Sequence, residues 1–387
     1  MTPVPHQKTS SLPKPTLIGT TPGRRTPIYI ADGCLDDVGK IVYPGQRRLS
    51  VIVAIDRTVD RLCGPRLCRS LETAGWTVHR RVLRGGESVK SQRTVARLHA
   101  DWFAAGLDRS TPVLAVGGGT ITDSVGFAAA TFLRGLPLWH LPTTIVGQVD
   151  AAVGGKVGVN TARGKNLIGC FYQPTGVIID PQVLSALPVR ERCAGSAEIV
   201  KYGVIADPVL FRRCERDLPA WIAGSRPIAA DVIRRCVRIK LQIVSQDEAD
   251  LGVRRILNFG HTLGHAFERW GGFRRFRHGE AVALGMVGAA AIAHNRGLLS
   301  ESELRRLTQV CGLLVPHQCH EMAFPTPDTM RYLRVDKKRT AGRNAWILPR
   351  SIGEVVLTDD VVDDEIKIAL GFVRRWLHES QPAGEGR

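Results

Sequence analysis

Three histidines lie close together in the stretch "ILNFGHTLGHAFERWGGFRRFRHGEAVALG", residues 256–285. His261 and His265 are four residues apart, so a helix would place them on one face, one turn apart. Neutral imidazoles are frequent zinc ligands, and His278 could supply a third from the start of the next helix. A single histidine is more often a surface or core residue, but three at this spacing indicate a metal site with one position open for substrate.

A carboxylate often completes a histidine ligand set, and the segment "AGSAEIVKYG" offers one. Glu198 is the candidate ligand in this segment. Lys201 follows one helical turn later. The sequence therefore predicts a metal centre of imidazole and carboxylate groups, with a lysine one turn from the carboxylate.

Three glycines occur in "VGGGTITD", residues 116–123, after an apolar segment and before the helical "SVGFAAATFLRG". Glycine lets backbone N–H groups approach a phosphate closely, and the N-terminus of the following helix adds partial positive charge. The pattern is not the G-x-G-x-x-G of many dinucleotide sites. A nucleotide site and a tight strand-to-helix turn without a ligand therefore both remain open from this segment alone.

A second glycine-rich segment, "VDAAVGGKVGVNTARGKNLIG" at residues 149–169, carries charged and amide side chains. They are Asp150, Lys156, Lys165 and Asn166. Lysines near glycines suit a phosphate or carboxylate bound by both charge and backbone N–H groups, although a solvated surface loop would have the same composition. Lys240 and Arg254 are not distinguished by their spacing alone.

Alternating strand and helix patterns predict the scaffold of the first half. Residues 89–106 have helical spacing. Short buried strands are indicated at residues 47–56, 110–119, 135–144 and 175–181. This alternation favours a parallel sheet with helices on both faces, whereas the periodicity after about residue 186 is mainly helical. We expect an α/β domain at 24–185 and a helical domain at 186–376, with disordered tails at 1–23 and 377–387.

The bulk composition excludes some classes of function. The net charge of +17 favours anionic ligands, but no RNP-like pattern, zinc finger or helix-turn-helix signature accompanies it, so we predict no nucleic-acid partner. No apolar run is long enough to span a bilayer, which predicts no membrane association. Nine cysteines without a C-x-x-C pair predict reduced thiols and a cytoplasmic location.

Several segments agree at once with one protein family. In chain order they are "GGGTITDSVGFAAATFLRG", "PTT", "VDAAVGGKVGVN", "GKNLIGCFYQP", "AGSAEIVKYG", "LNFGHTLGHAFE", "HGEAVALGM" and "VDKKRTAGRNAWILPRSIGEV". From about residue 24 to 370 the sequence resembles the 3-dehydroquinate synthase family of sugar-phosphate cyclases. The resemblance implies an N-terminal α/β domain that binds NAD and a C-terminal helical domain that holds zinc or cobalt, with a substrate cleft between them. It also implies a homodimer.

The resemblance assigns roles to individual residues of the metal and substrate sites. The metal ligands would be Glu198, His261 and His278, with His265 in the active site but not on the metal. The substrate-binding and catalytic residues would be Asp150, Lys156, Asn166, Lys201, Lys240, Arg254, Asn258, His265 and either Lys337 or Lys338. Arg134 would reach the phosphate of the substrate bound by the neighbouring subunit.

The resemblance also implies a set of NAD-binding residues. They would be Asp56, Thr58, Glu87, Lys90, Gly117, Gly118, Gly119, Asp123, Thr143, Thr144 and Lys165. An acidic side chain after the first strand suits the ribose hydroxyls of NAD and would repel the 2′-phosphate of NADP. The expected nucleotide is therefore NAD.

The implied substrate is 3-deoxy-D-arabino-heptulosonate 7-phosphate, which carries a phosphate and a carboxylate. Transient oxidation by NAD, elimination of phosphate, reduction and aldol ring closure would give 3-dehydroquinate and phosphate, a carbon–oxygen lyase reaction of the shikimate pathway to aromatic amino acids. Lys240 and Arg254 suit the carboxylate, and Lys156, Asn258 and His265 suit the phosphate.

Some features depart from the family pattern and keep alternatives open. Thr122 stands where the family commonly has glycine, and a threonine at this position also occurs in the related 2-epi-5-epi-valiolone synthases. Ser196 and the segment "FRRFR" before His278 are also unusual for the family. An aminodehydroquinate synthase of antibiotic biosynthesis would share nearly all the motifs. An NAD- and metal-dependent polyol or glycerol-phosphate dehydrogenase would share the fold but would release NADH.

Overall fold

The computed structural model describes residues 13–42, 50–162, 164–316, 326–334 and 344–379. The chain divides into two compact units, Met1–Thr143 with Gly155–Asp180, and Thr144–Gly154 with Pro181–Arg387. The expected boundary near residue 186 lies close to this division, but residues 144–154 belong to the second unit instead of the first. The reason is that the helical turn Gly147–Ala151 packs against the helix Ala230–Gln246 of the second unit.

Among the described residues, the first unit is built on a seven-stranded sheet of order β1-β2-β9-β6-β5-β3-β4. Its strands are β1 Leu17–Thr21, β2 Arg24–Ile30, β3 Ser50–Asp56, β4 Thr77–Leu83, β5 Val113–Gly117, β6 Leu138–Pro142 and β9 Gly176–Ile179. Strands β7 Lys156–Thr161 and β8 Gly164–Phe171 form a separate antiparallel pair. The helices are α1 Val38–Ile41, α2 Arg57–Thr73, α3 Gln92–Ala104 and α4 Gly119–Thr131.

The sheet is parallel except at its β1–β2 edge, which confirms the predicted fold class. In the central strand β3, five consecutive residues are buried, because helices cover both faces and every side chain meets apolar neighbours. Val53 of this strand lies opposite Arg80 of β4 and Leu114 of β5. The register aligns the carboxyl ends of β3 and β5, where the glycine-rich turn begins.

Both expected tails contain regular structure. Strand β1 lies within the expected tail 1–23. It forms because it pairs with β2 across a turn at Gly23, whose φ of 75° suits glycine. The last helix extends to Glu379, inside the expected tail 377–387, because Leu377 packs into the core and is buried. Composition alone missed both elements, because β1 is stabilised by its hairpin with β2 and the end of the last helix by burial of Leu377.

The second unit is mainly helical and surrounds one buried helix. Its elements are α5 Val189–Ala206, α6 Pro208–Ala223, α7 Ala230–Gln246, α8 His261–Trp270, α9 His278–Asn295, α10 Glu301–Gly312, α11 Thr326–Arg334, β10 Trp346–Ser351, β11 Glu354–Thr358 and α12 Asp363–Glu379. Helix α9 is buried over almost its whole length and is contacted by α5, α8, α10, α12 and β10. Its sequence is accordingly apolar all round, as expected of a core helix.

Two glycines of α9 permit unusually close helix contacts. A Cβ atom on Gly279 would lie 1.7 Å from the carbonyl oxygen of Ala194 in α5, and one on Gly285 would lie 1.9 Å from the carbonyl oxygen of Gly260. Gly260 precedes α8 and has a φ of 77°, which itself favours glycine. Helices α5 and α8 therefore contact α9 backbone to backbone, and this brings together the turns that carry Glu198, His261 and His278.

The composition led to expectations about the cysteines and about membrane-spanning helices. Within the described ranges, the cysteines are free thiols and form no disulfide. No helix in the described part of the chain is both long enough and apolar enough to cross a membrane.

Replacing Gly285 with Ala should destabilise the helical unit by about 1–3 kcal/mol, because the added methyl group overlaps a main-chain oxygen that cannot rotate away. The shift in the denaturant midpoint measures this effect. Gly371→Ala is the matched control, because in α12 the new Cβ would meet only the flexible Arg375 side chain at 3.6 Å. The control should be neutral or stabilising by about 0.5–1 kcal/mol. Equal midpoints for the two variants would contradict the contact.

Candidate active site

Glu198, His261 and His278 meet in the helical unit, one from each of α5, α8 and α9. Their ligand atoms all lie within 4.8 Å of one another. Oε1 of Glu198 is 3.4 Å from Nε2 of His278 and 3.7 Å from Nε2 of His261. Ligands bound to a tetrahedral metal at about 2.0 Å would be roughly 3.3 Å apart, so the three atoms fit a metal with little movement.

The second nitrogen of each imidazole ring is held by another group. Nδ1 of His261 lies 3.0 Å from the carbonyl oxygen of Phe259, and Nδ1 of His278 lies 3.2 Å from a carboxylate oxygen of Glu268. Each Nδ1 donates its proton to that oxygen, which leaves Nε2 as the ligand atom. Oε1 of Glu198 is buried and accepts no hydrogen bond from the described residues. A buried carboxylate facing two imidazole nitrogens is the donor set expected for a divalent metal.

The electrostatics of the triad follow from its burial. Burial holds the pKa of His261 well below 6.5, so this ring is neutral and able to bind a metal. For His278, burial also lowers the pKa, but Glu198 and Glu268 outweigh it and raise the value to about 10. Metal binding at His278 therefore displaces a proton.

One buried and one partly buried ion pair lie beside the triad. Nζ of Lys201 is 2.5 Å from Oε2 of Glu198, and Nζ of Lys240 is 2.6 Å from Oδ1 of Asp150. Burial opposes charge on Asp150, but the two lysines hold its pKa well below 3.8. For Lys240 burial is the stronger effect, and its pKa falls to about 8. The charge of Lys240 is thus conditional on pH.

Arg254 is 1% exposed, although it carries a charge. Its guanidinium donates from Nη2 to the carbonyl oxygen of Gly154 at 2.7 Å and from Nη1 to that of Glu248 at 2.5 Å. Gly154 has a φ of 92°, and a Cβ there would lie 2.8 Å from Nη2. The close approach therefore requires glycine at this position.

The loop before Arg254 is organised by one carboxylate. Asp247 accepts hydrogen bonds from the backbone N–H groups of Leu251, Gly252 and Arg254, at 3.0, 2.7 and 3.0 Å. Together these bonds fix the turn that delivers Arg254 into the interior.

The α/β unit contains a candidate nucleotide site at the carboxyl ends of its strands. From β3 the chain runs outward to β4 and returns to β5 on the other side of β3, so the loops after β3 and β5 diverge there. The first of these loops holds Asp56, whose Oδ1 accepts the N–H of Thr58 at 2.7 Å. The second holds Gly118, which precedes α4 and makes no side-chain cap. The N-terminus of α4 is therefore available to an anion.

The family models and sequence comparisons agree on one family. Residues 80–194 match the model described as "3-dehydroquinate synthase N-terminal", and residues 195–339 match "3-dehydroquinate synthase C-terminal". The chain belongs to the 3-dehydroquinate synthase family. It is 40% identical to the 3-dehydroquinate synthase of Desulforamulus reducens, over 90% of this chain and 97% of the relative. It is 42% identical to that of Symbiobacterium thermophilum, over 91% and 98%.

Solved structures of related cyclases have the same fold. The 2-epi-5-epi-valiolone synthase ValA from Streptomyces hygroscopicus subsp. jinggangensis, with NAD+ and Zn2+ bound, is 32% identical with a TM-score of 0.81, over 90% of this chain and 97% of ValA. A 2-deoxy-scyllo-inosose synthase complexed with carbaglucose-6-phosphate, NAD+ and Co2+ is 27% identical with a TM-score of 0.80, over 92% and 98%. Glycerol dehydrogenase from Schizosaccharomyces pombe, at 17% identity and a TM-score of 0.64 over 92% and 90%, shares the fold alone.

The structure brings together a large part of the residues that the resemblance to the 3-dehydroquinate synthase family assigns to the helical domain. The set whose ligand atoms converge is Glu198, His261 and His278, whereas the centroid of the His265 ring is 5.6 Å from that of His261. His261 and His265 share a helix, as their spacing predicted, but they do not belong to one converging set. Nδ2 of Asn258 donates to the carbonyl oxygen of Arg255 at 3.1 Å. Lys337 and Lys338 lie outside the described residues.

The residues assigned to NAD and to substrate in the α/β unit form local contacts of their own. Nζ of Lys90 lies 2.5 Å from Asp123, and Glu87 accepts a hydrogen bond from Asn160 at 2.5 Å. The N–H of Asn166 donates to the side chain of the same Asn160 at 2.9 Å. The backbone N–H of Thr143 donates to the carbonyl oxygen of Gly117. In the helical unit, the hydroxyl of Thr144 accepts a hydrogen bond from the backbone N–H of Gly147. Lys156 and Arg134 are exposed, and Lys165 and Gly119 are half-buried.

Two of the three departures from the family pattern, Thr122 and Ser196, are accommodated by local hydrogen bonds. The Thr122 hydroxyl donates to the carbonyl oxygen of Gly119 at 3.1 Å, and that of Ser196 donates to the carbonyl oxygen of Arg192 at 2.8 Å. Both side chains are buried and bond within their own helices.

Three residues of the site were missed by sequence reasoning: Tyr202, Asp247 and Glu268. Glu268 lies seven residues after His261, on the same helix face, so helical spacing could have indicated it. Tyr202 directly follows Lys201, and Asp247 lies in an acidic run with no distinctive pattern. The roles of these two depend on three-dimensional contacts that their spacing does not reveal.

Asp247→Asn should lower the free energy of unfolding at pH 7 by about 1–3 kcal/mol, because a neutral amide replaces a carboxylate that accepts three N–H groups. Burial tends to raise the pKa of Asp247, but these donors hold it below 3.8 in the folded protein. The carboxylate therefore stabilises the fold above pH 3.8 and loses this effect as the pH falls through its folded pKa. In denaturant titrations, the difference in the free energy of unfolding between wild type and Asp247→Asn should become smaller below pH 3.8. An advantage that does not change with pH would contradict the assignment.

Proposed function

We propose that this chain is a 3-dehydroquinate synthase that converts 3-deoxy-D-arabino-heptulosonate 7-phosphate to 3-dehydroquinate and phosphate. The observation that carries the proposal is the juxtaposition of a triad suited to a metal with buried cations suited to an anionic substrate. These cations are Lys201, Lys240 and Arg254. Family membership supports the reaction class, and the substrate's phosphate and carboxylate match the cationic character of the site.

We propose that Glu198, His261 and His278 hold zinc or cobalt, and that NAD binds at the carboxyl ends of β3 and β5. Two related cyclases support these assignments, because their structures contain NAD+ with Zn2+ or Co2+. When bound, NAD supplies a reversible hydride acceptor, and the metal supplies a Lewis acid for the oxygen at the oxidised carbon. In the α/β unit, the Gly117–Gly119 turn offers backbone N–H groups to the pyrophosphate, and Asp56 offers a carboxylate to the ribose.

The charges of the helical unit explain why the substrate should be a multiple anion. Asp150 and Glu198 are each paired with a lysine, so these two pairs are nearly neutral. The buried guanidinium of Arg254 donates to the carbonyl oxygens of Gly154 and Glu248, and with a divalent metal it adds positive charge to the site. A carboxylate can form a two-point contact with a guanidinium, so we assign Arg254 and Lys240 to the substrate carboxylate.

We also propose a homodimer in which Arg134 reaches the substrate phosphate of the neighbouring subunit. Leu133 and Arg134 both have positive φ, at 49° and 67°, which is uncommon outside glycine. Strained backbone of this kind persists where the surrounding structure requires it, often at functional sites. The Arg134 side chain is exposed, as the proposal requires.

The reaction is tested by incubating the metal-loaded protein with the heptulosonate phosphate and a substoichiometric amount of NAD+. Equal yields of phosphate and dehydroquinate, far above the NAD+ present, are expected because the cofactor is regenerated in each cycle. Turnover of the amino-substituted substrate alone would assign the chain to the antibiotic branch. Accumulation of NADH with a simple polyol would indicate a dehydrogenase and contradict the proposal.

His261→Ala should lose stoichiometric metal after dialysis and lose activity with it, because one of three protein ligands is removed. His294→Ala is the matched control, since its ring contacts the carbonyl oxygen of Leu299 and Glu301 at the far end of α9. Elemental analysis of the two dialysed variants makes the comparison. A His261→Ala protein that retains one tightly bound metal per chain would refute the ligand assignment.

The activity should depend on the charge of Lys240. Burial lowers the pKa of Lys240 to about 8, so the ammonium form that attracts the substrate is present below that pH and is lost above it. The kcat/KM should therefore fall as the pH rises through about 8. Lys240→Arg should remove this fall, because a guanidinium remains charged. A descending limb that is unchanged in Lys240→Arg would show that another group titrates.

A further inference from the structure

We infer that Tyr202 is a positioning residue that fixes the carboxylate of Asp150 so that one of its oxygens remains available to a substrate hydroxyl. This inference rests on the proposed function and on the substrate-binding role that the family resemblance implies for Asp150. Tyr202 is fully buried, and its hydroxyl donates to Oδ1 of Asp150 at 2.8 Å. Sequence motifs gave it no role of its own.

The donors around Asp150 act on one side of its carboxylate. Tyr202 and Lys240 both donate to Oδ1, at 2.8 and 2.6 Å, and Lys240 also donates to the main-chain oxygen of Asp150 at 2.5 Å. Neither of these two donors contacts Oδ2. Two donors on Oδ1 fix the rotation of the carboxylate, and the second oxygen is left as an acceptor for a ligand.

Tyr202 also contacts the ion pair on the metal side of the site. The ammonium of Lys201 lies 4.9 Å from the centre of the Tyr202 ring, within the range of a cation–π contact. The same ammonium pairs with Glu198, the proposed metal ligand. One rigid side chain therefore contacts both ion pairs, with its ring against Lys201 and its hydroxyl on Asp150.

The two donors to Asp150 are not equivalent. A lysine ammonium has three rotatable donors on a flexible stem, so it supplies charge but little orientation. The phenol is rigid and offers one O–H in a fixed direction. Burial and the neighbouring Asp150 raise the pKa of Tyr202 well above 10, so the hydroxyl remains a donor across the working pH range. Orientation therefore comes mainly from Tyr202.

Tyr202→Phe tests this role, because it removes the hydroxyl and keeps the ring against Lys201. We expect kcat to fall about 10- to 100-fold, as for loss of a hydrogen bond to a charged group. The KM should change little, because Lys240 and Arg254 still bind the carboxylate of the substrate. Metal affinity, measured by competition with a chelator, should stay within about twofold of wild type, because the triad and the cation–π contact are untouched.

Tyr172→Phe is the matched control for the chemical change. The Tyr172 hydroxyl donates to the carbonyl oxygen of Leu136 at 2.7 Å in the α/β unit, so this variant loses one hydrogen bond away from Asp150. Tyr172→Phe should keep the wild-type kcat, and its loss of thermal stability should be similar to that of Tyr202→Phe. A Tyr202→Phe protein with the kcat of wild type, or the same fall in kcat in both variants, would overturn the inference.

A crystal structure of metal-loaded Tyr202→Phe separates this inference from the proposed function. If the wild-type protein does not convert the heptulosonate phosphate, the proposed function fails, and the orientation of Asp150 still decides the role of Tyr202. The inference predicts that the carboxylate rotates or adopts two orientations in the variant. A single orientation identical to that of wild type would overturn it.

Discussion

The candidate site depends on the close approach of two helices to the buried helix α9. Gly279 and Gly285 present no side chain, so main-chain atoms of α5 and of the turn before α8 lie where a Cβ would otherwise be. Glu198, His261 and His278 are distant in sequence, and this packing places their ligand atoms within 4.8 Å. Because the contacts are between backbones, which cannot rotate away as side chains can, the spacing of the triad is set by the fold itself.

A second constraint comes from the buried and partly buried charges of the helical unit. Moving a carboxylate or an ammonium out of water costs free energy unless the charge is paired. Removing one partner of such a pair destabilises the fold more than replacing both partners with apolar residues. Glu198 with Lys201 and Asp150 with Lys240 meet this requirement, and Tyr202 contacts both pairs. The arrangement keeps the carboxylates ionised and lowers the pKa of Lys240 to about 8. The site therefore combines carboxylates that stay ionised with a lysine, Lys240, whose charge depends on pH. The same groups stabilise the interior of the helical unit.

The sequence predicted the parallel sheet, the helical second half and the family, because these depend on local periodicity and on motifs that can be read in order. It predicted the helix that carries His261 and His265, and spacing on that helix favoured both as metal ligands, whereas the converging set contains His261 with Glu198 and His278. The sequence also indicated Glu198 as a candidate ligand, but its distance from the two histidines depends on contacts made through glycines, which chain spacing cannot reveal. For the same reason Tyr202 and Asp247 had no signal, and strand β1 was taken for a tail although it pairs with β2.

Anomalous diffraction from crystals of the cobalt-loaded protein tests the central claim most directly. The account predicts one strong cobalt peak within about 2.0–2.2 Å of a Glu198 carboxylate oxygen and of Nε2 of both His261 and His278, with His265 not bound. Binding of cobalt by His261 and His265 together, or its absence from the triad in fully loaded protein, would contradict it. The first result would place the metal on one face of α8, and the second would mean that the packing around α9 gathers the triad without forming a metal site.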